Sequence, residues 1–165
     1  MTLKGANITS MQQEFEDLLA KHIGIVFRIV RTYSRNPDDQ QDLAQEVKLQ
    51  LWNAFPKWDR DKSFSTWMYR IALNTSLSWV RRASVRARWS APLTDEIAAS
   101  SEDAARFELR MILDRLDVMN QALLVLTLEG LPHEEIGEVL GVSAGTVATR
   151  LSRLKQQIRD EQNGH

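Results

Sequence analysis

The sequence predicts an all-α protein made of two small helical domains joined by a flexible linker, the second ending in a helix-turn-helix. Three observations lead there. Apolar residues recur at three- and four-residue intervals along nearly the whole chain, and no convincing strand interrupts them. Between Ala83 and Glu102 the periodicity dissolves into small, polar and turn-forming residues around Pro92. Near the end, Gly137 and Gly141 sit where two short amphipathic stretches meet.

The first helix follows from Phe15, Leu18, Leu19, His22, Val26, Ile29, Val30 and Tyr33, and should stop near Asn36-Pro37, because the residue before a proline avoids the helical region. A second should begin at Asp38 or Asp39, acids that suit a helix N-terminus, and carry Leu43, Val47 and Leu51 inward. Its outward face is then Asp39, Asp42, Glu46 and Gln50. A connection from Phe55 to Lys62 leads to the next helix, which Ser63 can cap.

That helix, FSTWMYRIALNTSLSWVRRASVRAR over 64–88, is apolar on two faces. Phe64, Met68, Ile71, Thr75 and Trp79 form one stripe and Tyr69, Leu73, Leu77 and Val80 the other. A narrow polar line of Arg70, Asn74 and Arg81 runs between them, continued by Arg82, Arg86 and Arg88. Arginines beside large aromatics suit a surface that grips a nucleic-acid backbone and offers rings to unstacked bases. The structural alternative is a core helix whose arginines snorkel to water.

After the linker, Leu109, Ile112, Leu113 and Leu116 resume the helical pattern, and the apolar run from Ala122 to Leu128 ends at Gly130. Beyond Pro132, residues 134–140 make a short helix, Gly141-Val142-Ser143 a tight turn, and Ala144 to Arg159 a longer helix. Gly137 is the small residue where the two helices press together, Gly141 makes the turn and Ser143 caps the longer helix. Ile136, Leu140, Val142, Val147, Leu151 and Leu154 supply the shared core. The exposed side then offers Thr146, Ala148, Thr149, Arg150, Ser152 and Arg153, short donors and arginines suited to a major groove. A plain helical hairpin with a solvated basic face is the alternative.

Composition and charge bound the function. The chain has 165 residues, 43% hydrophobic and 26% charged, and a net charge of −1, as expected of a soluble protein of one or two domains. From Arg60 to Arg88 seven basic residues face one acid, whereas from Asp95 to Glu138 eleven acids face three arginines. Past Val142 the balance turns mildly basic again, so a polyanion would be met in both halves. No apolar run approaches the roughly 20 residues of a membrane helix, and MTLKGANITS lacks the order of a signal peptide, so the expected location is the cytoplasm without membrane insertion. With no cysteine, disulfides and thiolate chemistry are excluded. Phosphate-loop, GxSxG and HExxH motifs are missing and His22, His133 and His165 are scattered, so neither an enzyme nor a metal or cofactor site is expected.

In order, DQQDLAQEVKLQLW, FSTWMYRIALNTSLSWVRR and EGLPHEEIGEVLGVSAGTVATRLSRLKQQI resemble a bacterial sigma factor of the extracytoplasmic-function group, over about Phe15 to Arg159. The resemblance implies residues 1–88 as a domain that docks on polymerase and recognises and melts the −10 element, 89–102 as the linker, and 103–165 as a helix-turn-helix domain for the −35 element. It assigns Asp39, Asp42, Leu43, Glu46 and Val47 to docking on the β′ clamp helices of core RNA polymerase, with the β subunit a further contact. It assigns the loop Pro56–Lys62 to closing over an extruded base, and Lys62, Phe64, Trp67, Arg70, Asn74, Thr75, Arg81 and Arg82 to the −10 DNA, with Asn74 recognising a base. Thr146, Ala148, Thr149, Arg150, Ser152 and Arg153 fall to the −35 DNA. Promoter DNA and core polymerase are the implied partners, and an anti-sigma protein commonly restrains members of the group. Gln41, Met119-Asn120, Ala148 and Ser152 depart from the usual pattern, the last two shifting −35 contact onto Thr149, Arg150 and Arg153. The alternative is a helix-turn-helix repressor or activator with an N-terminal sensor or dimerisation domain, which leaves the aromatic, arginine-rich helix unexplained.

Overall fold

The structure, a computed structural model, describes residues 3–87 and 103–164, with side chains over 9–86 and 108–164. Arg88 and residues 89–102, the expected linker, lie outside the described residues. Among those described there are seven α-helices, one 3-10 turn and no strand, and no helix is long and apolar enough to cross a membrane. The chain divides into two compact units, Met1–Arg82 and Ala83–His165.

In the first unit, α1 (Leu3–Tyr33) buries Phe15, Val26, Ile29 and Val30 of the predicted stripe together with Ile25, while Leu18, Leu19, His22 and Tyr33 are half-buried. The next helix starts slightly earlier than its acids suggest. Asn36 is the cap of α2 (Pro37–Ala54), its Oδ1 accepting from the Asp38 N–H at 2.8 Å and the Asp39 N–H at 3.4 Å. Pro37 takes the first helical position, where a missing N–H leaves no bond unmade. Gln40 Nε2 donates to the Ser34 carbonyl at 2.8 Å, tying the turn to the end of α1.

Leu43, Ala44, Val47 and Leu51 point into the core, and α2 passes into a 3-10 turn, Phe55–Lys57. Phe55 is fully buried, its ring centroid 5.1 Å from Phe15, 5.8 Å from Trp58 and 6.3 Å from both Phe64 and Trp67. Burying such a side chain stabilises by about 1.5–3 kcal/mol. Ser63 accepts from the Thr66 N–H at 3.4 Å, capping α3 (Phe64–Ala87) as predicted. The Tyr33 hydroxyl is buried without a hydrogen-bond partner, and desolvation pushes its pKa well up, so it stays neutral.

The second unit starts with α4 (Asp103–Arg115), which buries Leu113 and, just past its end, Leu116. Gln121 Nε2 donates to the Leu113 and Leu116 carbonyls at 2.8 and 3.2 Å, satisfying groups that a helix end leaves open. Asp117 caps α5 (Val118–Leu128), accepting from the Met119 and Asn120 N–H groups at 3.0 Å, and the Asn120 amide returns a bond to the same carboxylate. The unusual Met119-Asn120 pair is therefore part of a closed cap. Gly130, at φ 80°, ends α5 as expected.

The last two helices are α6 (His133–Leu140) and α7 (Ala144–Asn163). Gly141 takes the left-handed conformation at φ 71°, Ser143 Oγ accepts from the Thr146 N–H at 3.1 Å, and the Val142 N–H donates to the Gly137 carbonyl at 3.0 Å. Ile136, Val139, Val147, Leu151 and Leu154 are buried, whereas Leu140 and Val142, predicted for the core, are only half-buried. A methyl group on Gly137 would stand 2.6 Å from the Val142 carbonyl oxygen, which is backbone and cannot rotate away. Gly137→Ala is accordingly expected to destabilise the second unit by about 1–3 kcal/mol. Urea denaturation followed through α7 amide signals checks this, and an unchanged midpoint contradicts the close approach.

Candidate nucleic-acid interface

Helix α3 is held by burial of Phe64, Thr66, Met68, Tyr69, Ala72, Leu73, Thr75 and Ser76, and over residues 64–81 only Arg70, Asn74 and Arg81 are exposed. Arg70 and Asn74 stand exposed on it, and neither side chain has a hydrogen bond or ion pair among the described residues. Arg81 continues the row, its guanidinium 3.4 Å from Ser78 Oγ. An asparagine amide between two arginines presents both a donor and an acceptor flanked by positive charge, a combination suited to a base edge next to phosphates.

Other members of the expected −10 set are placed differently. Phe64 is buried in the aromatic cluster, and Thr75 is buried with its hydroxyl donating to the Ile71 carbonyl at 2.8 Å. Both side chains lie on the predicted apolar stripe, and the core takes them. Trp67 is half-buried, its ring centroid 5.3 Å from that of Phe64 and 6.0 Å from that of Trp58, so the side chain keeps partial exposure. Arg82 is engaged: its Nη2 lies 2.6 Å from Glu46 Oε1, and its guanidinium sits 5.9 Å from the Trp79 ring. His22 packs 5.6 Å from Phe64, and burial, with Lys21 beside it, lowers its pKa and keeps the imidazole neutral.

The acidic face of α2 presents Asp39 and Asp42 to water, while Glu46 is drawn toward Arg82. Leu43 and Val47, assigned to the same docking surface, are fully buried. They serve the core and fix the outward direction of the carboxylates, a correction that follows from the helical period itself. Leu49 on α2 and Phe27 on α1 are large apolar side chains left exposed, and Lys48 Nζ lies 5.9 Å from the Phe27 ring.

Between the 3-10 turn and α3, the loop carries a contact that no local signal announces. The Arg60 guanidinium sits 4.6 Å from the centroids of both Phe55 and Trp58 and donates to both carboxylate oxygens of Glu14, at 2.6 and 3.1 Å. Glu14 is on α1, 46 positions earlier. Lys62, two residues further along, is exposed and its side chain has no partner among the described residues.

In the helix-turn-helix, Ala148, Thr149, Arg150, Ser152 and Arg153 form an exposed row on α7, with Thr146 half-buried at its start. The Thr146 hydroxyl lies 2.9 Å from Ser143 Oγ, and Thr149 donates to the Gly145 carbonyl at 3.0 Å, leaving its oxygen able to accept. Arg150 and Arg153 have no ion pair or hydrogen bond among the described residues.

Fold and surface define an all-α protein of two helical units that closes on a helix-turn-helix. Residues 12–86 match the family model for sigma-70 region 2, and residues 106–158 match that for sigma-70 region 4. The chain belongs to the sigma-70 family, within its extracytoplasmic-function group. It is similar to the ECF RNA polymerase sigma factor SigE of Mycolicibacterium smegmatis, 34% identical over 157 residues, which cover 88% of this chain and 60% of SigE. The RNA polymerase sigma factor NccH of Alcaligenes xylosoxydans xylosoxydans is 29% identical over 159 residues, 89% of this chain and 86% of NccH. Among solved structures, CnrH in complex with the cytosolic domain of CnrY superposes with a TM-score of 0.70 at 25% identity, covering 93% of this chain and 90% of CnrH. RpoE of Bartonella quintana, solved with the anti-sigma factor NepR, shares the fold with a TM-score of 0.72 at 19% identity, covering 90% and 96%.

The unpaired state of Arg150 makes a specific expectation. Arg150→Ala should weaken binding to duplex DNA and reduce the slope of log affinity against log salt by about 0.9, the signature of one lost phosphate contact. Titrations at several salt concentrations measure it, and an unaltered slope removes Arg150 from the phosphate contacts.

Proposed function

We propose that this chain binds core RNA polymerase and directs promoter-specific initiation, its first unit recognising and opening the −10 element and its second binding the −35 element. The observation that carries this reading is the free edge of Arg70 and Asn74 on a helix whose first half is otherwise mostly buried. A helix packed on both broad faces holds that edge rigidly, which suits capture of a strand leaving a duplex. Opening DNA costs about 1.4 kcal/mol per stacking step, and nothing in the chain hydrolyses a nucleotide to supply it. Stacking on a ring gives about 1–3 kcal/mol per base, and arginine contacts to phosphate add to it. In this reading Trp67 offers the ring, Arg70, Arg81 and Lys62 hold the backbone, and Asn74 reads a base.

Docking falls to Asp39, Asp42 and Glu46, carboxylates that can pair with arginines on a partner helix of the polymerase. Synthesis of RNA belongs to that enzyme, and the chain works in the cytoplasm. CnrH forms a complex with the cytosolic domain of CnrY, and a restraining protein of that kind is the further partner proposed for this chain. The deciding experiment mixes the purified chain with core polymerase and a library of genomic promoter fragments, then reads pull-down and run-off transcription. Polymerase-dependent transcripts support the reading. Failure to bind core polymerase, or tight binding to duplex DNA alone as a dimer, overturns it in favour of a repressor.

Asn74→Ala is expected to leave polymerase binding intact and to slow promoter opening by about 5- to 150-fold, the scale of one lost base contact worth about 1–3 kcal/mol. Permanganate reactivity of opened thymines, beside a polymerase-binding titration, separates the two. Equal loss in both would make Asn74 a structural residue.

A further inference from the structure

We propose that Arg60 and Glu14 form a clamp that holds the loop before α3 in its strand-receiving shape, making Arg60 a positioning residue and not a DNA contact. The inference rests on the promoter-opening reading above and adds to it a residue pair outside the expected contact set.

Apart from the packing of Trp58, the loop has little else to define it. Its backbone bonds are local: the Trp58 N–H to the Phe55 carbonyl at 3.1 Å, the Lys62 N–H to the Asp59 carbonyl at 3.0 Å, and the Asp61 N–H to Asp59 Oδ1 at 3.1 Å. Such turns shape the loop without tying it to the rest of the unit. Trp58 enters the cluster, stacked on Phe55 and edge-on to Phe64 at 5.1 Å, but its indole N–H is buried with no hydrogen-bond partner. No directional bond from the indole orients that ring. Arg60 restrains it from above, with its guanidinium over Trp58 and Phe55 together while both terminal nitrogens reach the Glu14 carboxylate. A planar, forked cation can stack and pair bidentately at once, which lysine cannot do.

That geometry bears on function through Lys62 and Ser63. Lys62 follows the clamp by two residues, and Ser63 caps α3. A fixed Arg60 therefore sets where the free Lys62 stands relative to the start of the Arg70–Asn74 edge. A loop already ordered in its receiving shape gives up less conformational freedom when a strand binds. Because the Glu14 carboxylate takes two of its five donors and balances its charge, Arg60 adds less to a polyanion-binding patch than a count of basic residues along the segment suggests.

The test is a double-mutant cycle of Glu14→Gln, Arg60→Gln and both together, on the full chain with core polymerase. The DNA probe is a promoter fragment selected by the wild-type holoenzyme and pre-opened over the −10 positions. Each single variant should lose about fivefold in affinity for that probe, the combined scale of a bidentate pair and a cation–π contact. The double variant should lose no more than the worse single one, polymerase binding should persist, and the salt slope should stay unchanged. In the chain alone, amide exchange at Asp61 and Lys62 should accelerate in each variant. Unchanged exchange overturns the clamp whatever happens with DNA. If Glu14→Gln is neutral or tightens binding while Arg60→Gln loses affinity with a slope smaller by about 0.7, Arg60 is a phosphate contact and the proposal falls. Additive losses also overturn it. Should Arg60→Gln fail to fold, Glu14→Gln decides, since an exposed carboxylate can be neutralised without touching the aromatic packing. A wild-type chain that binds neither polymerase nor the pre-opened probe overturns the sigma reading itself, an outcome distinct from these.

Discussion

The first unit depends on the burial of Phe55. Its ring receives Phe15 from α1, Trp58 from the loop, and Phe64 and Trp67 from α3, with Arg60 closing the outer side. Every segment that positions a candidate functional side chain therefore converges on one residue at the end of α2. The cluster also explains why α3 can carry a polar edge at all. With large rings and Met68 anchoring its first turns, Arg70 and Asn74 need contribute nothing to stability, and their side chains stand free.

Charge is divided in the same way. Of the basic residues between Arg60 and Arg86, Arg60 is paired with Glu14 and Arg82 with Glu46, while Lys62 and Arg70 have no partner among the described residues. The net positive charge counted along the segment thus overstates what a polyanion would meet. Surface pairs of this kind are individually worth little, about 0–1 kcal/mol, and weaken with salt. Their effect here is geometric. Arg82 joins the end of α3 to the acidic face of α2, and Arg60 joins the loop to α1, so the two ends of the exposed edge are each tied to another helix.

Much of this could be read in the sequence. A period of about 100° per residue isolates Arg70, Asn74 and Arg81 between two apolar faces, and Gly137, Gly141 and Ser143 mark the turn before α7 because each solves a backbone problem that few residues can. Where helical period and family resemblance point in different directions for one residue, burial follows the period. Thr75 and Phe64 lie on the apolar stripe of α3, Leu43 and Val47 on that of α2, and all four are buried although the resemblance places them at interfaces. The two ion pairs were not legible, since their partners lie 36 and 46 residues apart and no local spacing encodes them. Nor was the role of Asn120, which with Met119 departs from the family pattern in sequence and in space bonds the Asp117 carboxylate that caps α5.

The two units present different chemistry, and the difference suits the proposed division of labour. The exposed row of α7 has short side chains, with Ala148 and Ser152 between the hydroxyl of Thr149 and the guanidinium groups of Arg150 and Arg153. Such a face can lie close in a groove and read a duplex, but it has no ring with which to stabilise a base outside the stack. The α3 edge has the converse equipment, with Trp67 and an arginine row for a separated strand. Neither contact needs to be strong alone. Two modest sites on one chain raise each other's effective concentration, so in the proposed function a duplex contact would hold the chain at a site while a strand contact would act only once bases leave the helix. In the proposed function, the aromatic cluster anchors the start of α3 and Arg60 with Trp58 holds its loop, so less of the binding energy goes into ordering protein and more remains to keep the strands apart.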